Sequence, residues 1–65
     1  MIIKVPTENP EIYCYYIDVI NRIVFEGNIC TAILNTDEHF NFNEMQTKFL
    51  KKDLEKIYKQ QFQNT

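Results

Sequence analysis

The sequence predicts an α+β fold in which a small antiparallel β-meander packs against one C-terminal amphipathic helix. Three observations carry that expectation. Residues 12–35 hold an excess of β-branched and aromatic side chains, a helix start signal falls near residue 41, and the 65-residue length admits a single domain.

The elements follow in order. Met1 to Val5 reads as an edge strand, ended by Pro6, which has no N–H to give a neighbouring strand. In the middle segment the odd positions Tyr13, Tyr15, Ile17, Val19, Ile23, Phe25, Ile29, Thr31 and Ile33 keep one facing if the chain turns through two three-residue loops, Ile20-Asn21-Arg22 and Glu26-Gly27-Asn28. The even positions Cys14, Tyr16, Ile20, Val24, Cys30, Ala32 and Leu34 then form a second apolar face. The rival arrangement is a helix over 10–26 followed by short strands and the C-terminal helix. Asn9-Pro10-Glu11 suits an N-cap and first turn, and Gly27 suits a helix end.

The last element is a helix from about Asn41 to Phe62. Asn41 and Glu44 have the spacing of a capping box, and Phe40 and Met45 that of a hydrophobic staple. At 100° per residue Leu50, Leu54, Ile57 and Tyr58 share one face, with Lys48, Lys52, Glu55, Lys56 and Lys59 opposite. Glu44–Lys48 and Glu55–Lys59 are helical i,i+4 pairs, and Gln60 to Thr65 should fray.

Composition excludes more functions than it suggests. The chain is too short for the large catalytic folds, and its single glycine, Gly27, leaves no phosphate-cradling loop. With no serine and one histidine, a nucleophilic pair would have to join His39 to Cys14 or Cys30, and no spacing brings them together. The two cysteines are expected as free, buried thiols rather than a disulfide or a reactive pair. Asp37-Glu38-His39 reads as a solvated loop leading into the helix, since adjacent loop residues rarely converge on one metal ion. No catalytic, cofactor or metal site is therefore expected. Without a signal-peptide pattern or a membrane-length apolar run, the chain is expected to be soluble and cytoplasmic, in a host cell if phage-encoded, with no membrane partner.

Charge divides the chain. Up to Asn43, Lys4 and Arg22 face six acids (net −4), and beyond it five lysines face three acids (net +2). The lysine stripe Lys48, Lys52, Lys56 and Lys59 is interrupted by acids and has no arginine, so a solvated face is expected ahead of a nucleic-acid surface. One helix covers one side of a small sheet, so the second apolar face needs another copy or another protein. The expected function is a small non-enzymatic protein-binding protein, an inhibitor or modulator occupying a surface of a larger protein and prone to form homo-oligomers. The abundance of Asn, Ile and Lys suggests a phage or mobile-element product. Tyr16, Ile20, Val24 and Tyr13 would anchor the partner, with Asp18 and Glu26 among the acids that steer it. The alternatives are a nucleic-acid-associated regulator using the basic helix face and a structural or assembly subunit.

Overall fold

The computed structural model describes residues 1–63, with side chains described as far as Gln61. Five strands, β1 (Ile2–Pro6), β2 (Ile12–Ile17), β3 (Asn21–Glu26), β4 (Ile29–Ile33) and β5 (His39–Phe42), form one antiparallel sheet in sequence order. A single helix, α1 (Glu44–Gln63), follows and crosses one face of the sheet from β4 to β1. The meander-plus-helix expectation holds. The rival helix over 10–26 is replaced by β2 and β3, where Tyr13, Tyr15, Ile17, Ile23 and Phe25 pack better on a pleated surface than around a helix.

Register decides which residues meet α1. On the covered face, Lys4, Tyr15, Ile23, Ala32 and Phe40 form one cross-strand row, and Pro6, Tyr13, Phe25, Cys30 and Phe42 the next. The core is Tyr15, Ile23, Phe25, Cys30 and Ala32 beneath Leu54 of α1, bordered by Ile2, Ile17, Ile20, Leu50 and Tyr58. Its aromatic centre is ordered by contact geometry. Tyr13 stacks on Phe25 at 5.2 Å, and Tyr15 meets Phe25 edge-on at 5.9 Å.

Two turns correct the expected pattern. The β2–β3 connection is Asp18-Val19-Ile20, three residues as foreseen but two positions earlier, so β3 keeps its facing and starts at Asn21 with φ 100°. Between β3 and β4 only Gly27 and Asn28 intervene, with Glu26 paired to Ile29. Gly27 takes φ 60°, as the first central position of a II′ turn requires. An even-length turn inverts the facing of everything after it. Cys30 and Ala32, expected on the second face, are therefore buried under α1, and Ile29, Thr31 and Ile33 change places with them.

The helix start is also displaced. Asn43, not Asn41, is the N-cap: its Oδ1 accepts from the N–H of Gln46 at 2.8 Å, while Gln46 Oε1 accepts from the N–H of Asn43 at 3.1 Å. Residues 39–42, foreseen as loop, cap and first helical residue, pair with β4 as β5, entered through a turn at Asp37 with φ 66°. The helix buries the stripe Thr47, Leu50, Leu54 and Tyr58, so Ile57 faces outward and Glu55 turns toward the sheet. Residues 60–63, expected to fray, continue the helix, and the expectation for Asn64 and Thr65 lies outside the described residues. Near that end Gln61 docks on the outer edge of β1: its Oε1 accepts from Ile2 N–H at 2.5 Å, and its Nε2 donates to Ile2 C=O at 2.7 Å.

The displaced cap gives a direct test. Asn43→Ala should lower stability by about 1 kcal/mol in urea unfolding, and Asn41→Ala by less than about half that, because only Asn43 satisfies a helical N–H.

Candidate functional site

The face of the sheet turned away from α1 is built from alternate residues of every strand. One cross-strand row holds Ile3, Tyr16, Arg22, Ile33 and His39, the next Val5, Cys14, Val24, Thr31 and Asn41, and a shorter one Ile12, Glu26 and Ile29. No described helix or strand covers this face, although Ile33 on it is buried, at 8% exposure. Ile3 is 53% exposed, Val5 42%, Tyr16 40% and Ile29 61%, too large a set of neighbouring apolar side chains to be scattered surface residues. Both ends of the sheet are acidic. Glu8, Glu11 and Glu26 lie at the end with the β3–β4 turn, and Asp18, Asp37 and Glu38 at the other.

The six residues expected to bind a partner separate into groups. Tyr16 and Val24 lie on the open face, with Glu26 exposed at its border. Asp18 is in the exposed β2–β3 loop, where it holds the Met1 ammonium at 2.7 Å. Tyr13 and Ile20 belong elsewhere. Tyr13 lies on the covered face between the Phe25 ring and Lys4, whose Nζ is 4.7 Å from its centroid, and Ile20 folds from its loop against the core. Ile3, Val5 and Ile29 were missed. For Ile29 the signal was in the sequence, since Gly-Asn between two β-rich runs is itself a two-residue hairpin pattern.

Charge on the covered side is organised by Glu55. Its carboxylate accepts a hydrogen bond from the Tyr15 hydroxyl and one from Lys4 Nζ at 3.1 Å. The Tyr15 bond, helped by Lys4 and Lys59, holds the Glu55 carboxyl below the usual carboxylate range, and burial followed by the same bond pushes the Tyr15 hydroxyl well up. Glu55 thus engages Lys4 rather than the expected Lys59, because its turn of helix faces β1. Alongside it, Lys4, Lys51, Lys52, Lys56 and Lys59 border an open cleft of about 630 Å³ above Tyr13. Lys51 is already committed, donating to the Gly27 carbonyl at 2.6 Å, and Lys48 stands outside the cleft.

The thiols offer little nucleophilicity. Cys14 lies on the open face and Cys30 on the covered one, so the sheet separates them and both are free. Burial raises Cys14 despite the opposing pull of Arg22, and raises Cys30 to about 11, so neither favours the thiolate at neutral pH. Among the described residues no three His, Cys, Asp or Glu side chains converge as metal ligands, and no helix is long and apolar enough to cross a membrane.

No family model, curated protein or solved structure matches the chain.

The Glu55 arrangement predicts a pH dependence of fixed sign. A carboxyl whose folded pKa is depressed stabilises the fold above its unfolded value, near 4.5, and loses that contribution as pH falls through the folded one. Glu55→Gln should therefore be less stable than wild type at pH 7, with the gap narrowing as pH drops below 4.5 in denaturant titrations. A gap that stays constant with pH would show that Glu55 acts through packing alone.

Proposed function

We propose that this protein is a small non-enzymatic binding protein that lays the open face of its sheet on a larger protein and blocks the surface it covers. The observation that supports this reading is the set of exposed apolar residues Ile3, Val5, Tyr16 and Ile29 around half-buried Val24, on the face that the one helix does not cover. Acidic residues at both ends of that face suit a partner with an apolar patch and a basic border, whose approach they would accelerate. The action is steric, as for an inhibitor or modulator, and it asks nothing of the raised thiols or of His39. An Asn-, Ile- and Lys-rich composition fits a phage or mobile-element product working in a host cytoplasm.

A second reading, contact with nucleic-acid phosphates, is favoured by the convergence of lysines on the cleft above Tyr13. With Lys4 held by Glu55 and Lys51 by Gly27, three lysines remain for phosphates, which would give a log–log salt slope of about −2.7 on duplex DNA. Such a complex should be lost on changing Lys52, Lys56 and Lys59 to Gln and should survive Lys48→Gln. The leading reading expects no DNA or RNA complex at about 150 mM salt.

The leading reading is tested at its centre. A partner captured on immobilised wild-type protein should be lost on Tyr16→Ala and on Ile29→Asp, and Tyr16→Ala should cost roughly 2 kcal/mol of affinity while the helical circular-dichroism signal and Tm stay nearly unchanged. Glu26→Gln should mainly slow association. If affinity falls only in proportion to the folded fraction, Tyr16 is structural and the open face is not the binding surface.

A further inference from the structure

We infer that the open face closes on a second copy of this chain, in a two-fold dimer whose axis runs along the row Val5, Cys14, Val24 and Thr31. The inference rests on the reading of this face as the working surface, and it names what covers the face before a larger partner is met. Face-to-face sheets related by a two-fold axis perpendicular to their strands lay each strand antiparallel over itself. A row on the axis meets its own copy, and the rows on either side exchange. Here the middle row is short-chained, and the flanking rows are complementary.

Register sets the pairs. With Val24 on the axis, Arg22 of one copy faces Glu26 of the other, two positions to either side of the centre. On β2 Tyr16 meets Ile12, and on β4 the exposed Ile29 stands over the position of Ile33, which is itself only 8% exposed in the single chain. The charged pair is where the isolated chain is incomplete. Arg22 is half-buried and its guanidinium has no carboxylate, the two ion pairs among the described residues being Met1–Asp18 and Lys4–Glu55. Glu26, exposed on the same face, likewise has no cation. Within one chain both side chains stand on β3 four residues apart, about 13 Å along the strand, and cannot meet. An isologous dimer forms the pair twice.

The available area suffices. Five strands about 4.8 Å apart and about 17 Å long give on the order of 400 Å² of flat face per copy, and side-chain relief carries the total buried by two copies to about 1,000 Å², the lower limit for a specific interface. That places the dimer at the weak end of the range, where a larger partner can displace it.

The experiment is a charge swap read by sedimentation equilibrium across about 5–300 µM, with circular dichroism confirming each fold. Wild type should dimerise, and Arg22→Glu and Glu26→Arg should each weaken dimerisation roughly tenfold or more. The double variant should recover it, as should an equimolar mixture of the two single variants, in which both pairs are again opposite in sign. A monomer throughout the concentration range overturns the dimer while leaving the open-face reading to its own capture test. A dimer indifferent to both swaps also overturns it, and places self-association on another surface.

Discussion

One helix can cover one side of a sheet, and most of what distinguishes this molecule follows from that limit. Helix α1 is committed to the face carrying Tyr15, Ile23, Phe25, Cys30 and Ala32, which gives a 65-residue chain its only enclosed apolar cluster among the described residues. The strands nevertheless carry branched and aromatic residues on both faces. Small domains bury a modest share of their surface, so leaving Ile3, Val5, Tyr16 and Ile29 in water forgoes stabilisation of about 25 cal/mol for every Å² left uncovered. That forgone stabilisation is available to association.

The helix is held at its angle by more than apolar contact. Glu55 reaches the Tyr15 hydroxyl and the Lys4 ammonium together, and Lys51 caps the Gly27 carbonyl at the far end of β3. These bonds join α1 to β1, β2 and the β3–β4 turn. Apolar packing alone tolerates sliding, whereas a carboxylate fixed by two donors on different strands admits one register. Glu55, half in water, thereby acts as an orienting group more than as a source of stability, since a partly exposed ion pair contributes little net energy.

The layers of the fold were legible in the sequence, but several facings were not. Strand content and helix content follow from local residue choice, and Ile12 to Phe25 behaved accordingly. Facing depends on the parity of a turn, and one residue fewer at Gly27-Asn28 exchanged Cys30 and Ala32 with Ile29 and Ile33. The capping signal was ambiguous for a related reason. Asn41-Phe42-Asn43 offers two caps two residues apart, and Glu44 and Gln46 complete either box. Pairing of His39–Phe42 with β4 decides between them, and a long-range contact of that kind leaves no local trace. Tyr16 and Val24 were placed on the open face because the β2–β3 turn kept its odd length despite its shift, whereas Ile20 was lost to the loop by that same shift.

Gln61 and the backbone of Ile2 form a reciprocal pair of hydrogen bonds that imitates one rung of a strand ladder. The imitation makes the last turn of the helix a guard on the sheet. Along the free side of β1, Pro6 has no N–H to donate and Ile2 is already occupied, which leaves the backbone of Lys4 as the principal opening between them. Edge-to-edge addition is therefore hindered at both ends of β1, while β5 forms the opposite edge of the sheet. Shortening the chain before Gln61 would unplug that edge while leaving the core residue Leu54 in place, and would restore to β1 a free side open to strand addition.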